Sequence, residues 1–283
     1  MKTILNFKTL KVCVAVLAML LLIISSDRAA TITAQASTAW ELTSTWTGGV
    51  VPTSHDSVVI PSGFSISVNS QTDSCRAITF LSTATNTTFT INSGYALTVS
   101  GALTMLAQST TSGITKQITV SGTLNAGSIT INGSNISGQY KSILLVSSGG
   151  VVNCNGNFNF ANSTSSNAGT AGLTWTDNTS IVNITGNISC SVSGCGKLNL
   201  AGTFSPLNLG GNYNFSGNMS ATNSLQLTLN GTGAQTISGT CSFKNIIVSK
   251  SSGTVTAAAV ITITGSSSVG LSIIQGTLDL STY

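Results

Sequence analysis

One five-residue pattern recurs nine times along this 283-residue chain: apolar, polar, apolar, small or polar, then glycine. It reads Leu97-Thr98-Val99-Ser100-Gly101, Ile118-Thr119-Val120-Ser121-Gly122 and Ile129-Thr130-Ile131-Asn132-Gly133. Further on come Val152-Asn153-Cys154-Asn155-Gly156, Val182-Asn183-Ile184-Thr185-Gly186 and Leu198-Asn199-Leu200-Ala201-Gly202. The last three are Tyr213-Asn214-Phe215-Ser216-Gly217, Leu227-Thr228-Leu229-Asn230-Gly231 and Ile261-Thr262-Ile263-Thr264-Gly265. Alternation with period two marks a strand with one face buried. The glycine falls on the inward parity, and the next inward site is apolar again at Leu103, Leu124, Phe158, Ile188, Phe204 and Met219. A residue without a side chain there lets the backbone bend toward the core and continue.

Short strands repeated without helical segments predict a stacked array. The expected fold is all-β: a β-solenoid, or parallel β-helix, with an N-terminal cap; a β-sandwich is the alternative. Coils of roughly 20 residues would give about 12 coils, and at about 4.8 Å per coil a rod on the order of 55–60 Å. The glycine spacing is uneven. Gly186, Gly202, Gly217 and Gly231 follow one another at nearly equal intervals, whereas Gly122 and Gly133 stand closer together. The motif therefore occupies different sides of larger coils, or some coils are small.

Composition narrows the function classes. Hydrophobic residues make up 41% and charged residues only 6%, against about 25% charged in ordinary soluble domains. That excludes a disordered chain, which is poor in apolar residues and rich in charge. Polarity comes from Ser, Thr, Asn and the 29 glycines, a mixture suited to strands and turns.

Lys2, Lys8 and Lys11 precede or open an apolar run at 12–24, and a polar stretch ends in Ala34-Gln35-Ala36. This is the three-part form of a secretory leader, expected over 1–36. Cys13 follows Val12 rather than a small residue, which does not suit a lipid anchor. The mature chain is expected to be secreted or on the outer cell surface, without a transmembrane segment. Beyond the leader, six basic residues face five acidic ones, so no basic stripe invites nucleic acid.

Five cysteines remain: Cys75, Cys154, Cys190, Cys195 and Cys241. An exported protein keeps disulfides, and Cys190 and Cys195 are close enough to bridge across a turn, but an odd number leaves one unpaired. Most are expected to be small buried hydrophobes. His55 is the only imidazole and no C-x-x-C pair occurs, so neither a zinc site nor any cofactor is expected.

The two ends differ. The stretch 40–61 holds two of the three tryptophans, both Glu41 and Asp56, and two of the three prolines. Bulky aromatics with a polar edge are what closes an open stack, so 37–70 is expected to be the cap and first coil, with 71–283 repetitive. Gly276-Thr277-Leu278-Asp279-Leu280 still alternates where the sequence stops at Tyr283. The expectation is a piece of something longer, or an end that a partner covers.

The residues Trp40-Glu41-Leu42-Thr43-Ser44-Thr45-Trp46-Thr47-Gly48-Gly49-Val50-Val51-Pro52, then Asp56, Val58, Ile60 and Gly63, resemble the opening of secreted Bacteroidota surface proteins. Gly233-Ala234-Gln235-Thr236-Ile237-Ser238-Gly239, with Ser252-Gly253-Thr254-Val255 and the 276–280 stretch, resembles their internal repeat block. The resemblance implies a large, adhesin-like solenoid of the type IX secretion cargo kind, without shared catalytic residues. The C-terminal sorting domain that many of them carry is not visible.

Three functional readings follow. The first is a non-catalytic structural or adhesive surface protein, whose partners are an extracellular glycan or another surface protein. The second is a binding module for ice or polysaccharide. It would use the outward row Thr98, Thr119, Thr130, Asn153, Asn183, Asn199, Asn214, Thr228 and Thr262. Thr is also simply a good exposed strand residue, and Asn ladders stabilise stacked strands by themselves. The third is a polysaccharide lyase or hydrolase, which needs two carboxylates close together or a carboxylate–metal site. Asp56 and Asp73 are the nearest acids in sequence, and Asp56 adjoins His55. Adjacent strand residues point to opposite faces, so that pair is poorly placed, and Asp56 and Asp177 read as turn residues.

Overall fold

The computed structural model describes residues 29–70, 72–82, 85–107, 114–133, 141–161, 171–190, 196–200, 205–216, 218–219, 225–239, 242–264 and 270–280. Met1–Ala30 separates as a unit of its own, so most of the expected leader lies outside the described residues, as do Gly202, Phe204, Gly217, Gly265, Cys195 and Cys241. Among the described residues no helix is long and apolar enough to cross a membrane.

From Thr31 onward the chain winds through three β-faces in turn. On the first face the inward row runs Leu97, Leu124, Val152, Val182, Leu207, Leu227 and Ile246. After a corner, the second face stacks Ile32, Val58, Ile78, Leu103, Ile129, Phe158, Ile188, Tyr213 and Ile237. The third face stacks Ile66, Phe89, Ile118, Leu144, Leu173 and Leu198. Every one of these pairings is parallel, and the antiparallel contact among described residues is a lone bridge, Ala34 with Trp46. The fold is a β-solenoid, and the parallel registers exclude an antiparallel sandwich.

The expected coil count is corrected. There are about eight stacked coils rather than about 12. Coil length varies: the turn from Leu227 to Ile246 is short, and the one from Val152 to Val182 is half as long again. At about 4.8 Å per coil the stack is roughly 40 Å tall. Larger coils arise because each makes three strands, and the five-residue motif labels different faces in different coils.

Between the two ends of the stack the inward apolar residues are buried, including Val99, Val120, Ile184 and Leu229. Each such aliphatic or aromatic side chain contributes roughly 1.5–3 kcal/mol by leaving water. The N-terminal coil is closed by Trp40 and Trp46, both fully buried, with ring centroids 4.7 Å apart edge to face and Trp46 Nε1 donating to Trp40 O at 2.7 Å. At the other end Leu271, Ile273 and Leu280 remain exposed.

The reason for the corner glycines differs from the one the sequence suggests. Gly127 and Gly156 have ordinary negative φ. A Cβ on Gly127 would lie 2.4 Å from Ser100 O, and one on Gly156 2.5 Å from Gly127 O. The missing side chain is needed along the stack: the corner of one coil sits directly on the carbonyl of the previous one.

Two lysines turn inward, which alternation with apolar neighbours does not announce. Lys116 is fully buried and donates to Leu106 O at 2.6 Å. Lys250, also fully buried, donates to Gly231 O at 2.6 Å, Gly233 O at 2.7 Å and Gln235 Oε1 at 2.7 Å. Gln235 Nε2 in turn donates to Leu209 O at 3.0 Å and Gly211 O at 2.5 Å. At Lys250 all three ammonium protons have an acceptor, which offsets the cost of burying the charge.

Candidate functional site

The nine outward residues do not form one row. Thr98, Asn153, Asn183 and Thr228 share a column on the first face, completed by Asn125 and Asn208. Thr119 and Asn199 lie on the third face, separated by Leu145 and Thr174. Thr130 and Asn214 lie on the second, with Asn159 and Ser189 between them. Thr262 pairs with Ser242 in a small separate sheet.

The first-face column is a continuous amide ladder. Asn153 Nδ2 donates to Asn125 Oδ1 at 2.8 Å, Asn183 Nδ2 to Asn153 Oδ1 at 2.8 Å, and Asn208 Nδ2 to Asn183 Oδ1 at 2.7 Å. Partners are 25 to 30 residues apart in sequence. A second ladder runs along the corner. Asn157 Oδ1 accepts Asn187 N at 2.9 Å, Asn187 Oδ1 accepts Asn212 N at 2.7 Å, and Asn212 Oδ1 accepts Thr236 N at 2.8 Å. Its signal in the sequence is the recurring Gly-Asn pair at Gly156-Asn157, Gly186-Asn187 and Gly211-Asn212.

The first ladder ends at an open notch of about 410 Å³. Leu209 pairs with Ile184 on one side and Leu229 on the other, so Gly210 stands between Thr185 and Asn230 of the flanking coils. Gly210 packs so closely on the previous coil that a Cβ there would lie 2.5 Å from Thr185 O, and it lines the gap with Asn183, Asn208, Thr232, Thr185 and Asn230. The next rung of the ladder is Thr228 rather than Asn, so Asn208 Oδ1 receives none of the amide donors that its predecessors receive.

The carboxylates sort differently from their order in sequence. Asp56 is buried in a turn, its Oδ2 accepting from Thr53 N at 2.9 Å and Thr53 Oγ1 at 2.7 Å, and His55 beside it is exposed. Asp177 caps the turn at 176–180 through Thr179 N, Thr179 Oγ1, Ser180 N and Ser180 Oγ. Burial pushes its pKa up, but those bonds outweigh it and hold the carboxyl at about 2.

The structure instead brings Asp73 together with Glu41 of the cap. Asp73 occupies the inward register position that Leu97 takes one coil later, and its Oδ2 is buried without a hydrogen bond. Burial pushes Asp73 up to about 6; the Ser70 hydroxyl opposes this, and the Glu41 carboxyl adds to it. Glu41 Oε1 accepts from Asn69 N. No local pattern signals this pair, because Glu41 belongs to the cap and Asp73 to a strand of the following coil.

Cys75 and Cys154 are free and buried, and burial pushes the Cys75 thiol up to about 12, so both behave as small apolar groups. Cys190 is disulfide-bonded. Among the described residues no three His, Cys, Asp or Glu side chains gather as metal ligands. No family model, curated protein or solved structure matches this chain.

Proposed function

We propose that this chain is an exported structural or adhesive repeat protein of the outer cell surface, non-catalytic, of the kind its resemblance to Bacteroidota type IX cargo implies. The observation that carries the reading is the combination of about eight coils, zipped by parallel ladders, with outward rows of uncharged Ser, Thr and Asn. Ladders along the stack make a stiff rod, and neutral side chains suit contact with other surfaces rather than acid–base chemistry.

The test is localisation and adhesion in the source cell. Protease added to intact cells should remove the chain, and deleting its gene should reduce attachment to glycan-coated surfaces. Retention inside the cell, or unchanged attachment, refutes the reading. A ligand-binding role through the outward rows is the second reading. Division of those rows among several faces removes a single flat array suited to ice, and the notch beside the amide ladder favours a polysaccharide.

A further inference from the structure

Three features mark the notch at Gly210. It interrupts a column that carries Thr185 and Asn230 on either side. It lies where the amide ladder ends on the unmatched Asn208 Oδ1. Its volume, about 410 Å³, falls within the range of about 300–1,000 Å³ typical of small-molecule sites.

The chemistry of its walls selects a ligand class. Asn183, Asn208 and Asn230 offer amide N–H and C=O groups, and Thr185 and Thr232 offer hydroxyls, all uncharged. An anion would find no cation there, and a nucleobase no aromatic face to stack on. Groups that both donate and accept hydrogen bonds match sugar hydroxyls, which do the same. The walls span three consecutive coils, so the groups repeat at about 4.8 Å along the stack, close to the rise of one sugar unit in an extended chain.

We propose that this notch, formed by Asn183, Thr185, Asn208, Asn230 and Thr232 around Gly210, binds a neutral polysaccharide running parallel to the stack. The notch takes roughly two or three sugar units at that spacing. Asn208 Oδ1 accepts from one sugar hydroxyl, and the Asn230 amide and the Thr185 and Thr232 hydroxyls hold the next. This deepens the surface-protein reading and rests on it only for access to an external glycan.

The experiment is calorimetric titration of the purified protein with neutral hexasaccharides of glucan, xylan and mannan, and with an oligogalacturonate as the acidic comparator. At least one neutral chain should bind saturably, with Kd in the range of roughly 10 μM–1 mM, and the acidic chain should not. Asn230 and Thr232 are exposed and outside the ladder, so Asn230→Ala with Thr232→Ala should leave the far-UV spectrum and Tm unchanged. The double variant should lose at least about tenfold in affinity. No binding of any neutral chain, equal binding of the acidic one, or undiminished affinity in the double variant overturns the proposal. Binding by purified protein that proves to be retained inside the cell would refute the surface reading alone. Surface exposure without binding would refute the notch alone.

Discussion

Replacing Lys250 with Met tests whether the polar knot at the C-terminal coils holds the stack or merely fits within it. The ammonium is fully buried and makes three bonds of 2.6 to 2.7 Å, to two backbone carbonyls and to Gln235. Through Gln235 the knot also ties Leu209 and Gly211 of an earlier coil, so one side chain links successive turns. Met fills nearly the same volume, so little cavity forms, but Gly231 O and Gly233 O lose their donor.

Each charge-assisted bond is worth about 1.5–3 kcal/mol, and relief from desolvating the ammonium returns several kcal/mol. The partners left behind are neutral, so no charge is stranded, and the cost is that of buried acceptors losing their donor, about 1–3 kcal/mol each. Set against the desolvation relief, we expect Lys250→Met to cost about 3 kcal/mol. Stability in a stacked array is nearly a sum of coil and neighbour contributions, so the loss is local. Hydrogen exchange should therefore show faster opening of Leu225–Leu229 and Asn245–Ala257 by on the order of a hundredfold, with little change near Trp40. Gln235→Leu in the same background should cost less than it does alone. Unchanged protection at both segments would refute the reasoning and reduce the knot to a tolerated burial.

Gly127→Ala should destabilise by about 1–3 kcal/mol in urea titration, because the new Cβ meets the carbonyls of Ser100 and Gly101 rather than a side chain that can move. A neutral effect would mean that the corners are looser than the contact implies. Asn153→Ala removes two ladder bonds, one given to Asn125 and one received from Asn183, and should cost about 1–2 kcal/mol in thermal or urea melts. Asp73 carries the pH dependence. Its pKa is about 6 in the folded state against an ordinary value of 3.8, so the native state keeps a proton that the unfolded chain releases. Stability from this group is full below about pH 4, falls as pH rises toward 6, and stays lower above. Asp73→Asn should flatten that slope and raise stability near neutral pH by about 1 kcal/mol, screened well below the unshielded value because the group is half exposed. A slope that survives the substitution would assign it elsewhere.

Alternation of small polar and apolar residues ending at glycine was enough to specify strands with one buried face, its repetition favoured a stacked array over a sandwich, and it singled out Asn153 and Asn183, which the ladder later joins. Separately, the concentration of tryptophan, proline and acid over 40–61 pointed to a cap at that end. Alternation is a local property, because side chains alternate across a strand whatever the strand pairs with; the glycine is legible too, but the reason for it lies in the coil beneath. Which residues stand in line is a different matter. The register between coils depends on loops that lengthen the turn from Val152 to Val182 and shorten the one from Leu227 to Ile246, and no local pattern encodes that offset. So Thr98 and Thr228 joined Asn153 while Thr119 and Asn214 went to other faces. The amides of Asn125 and Asn208, the Glu41–Asp73 pair, the inward lysines and the gap at Gly210 emerged only once the coils were stacked, because each depends on groups distant in sequence meeting through space.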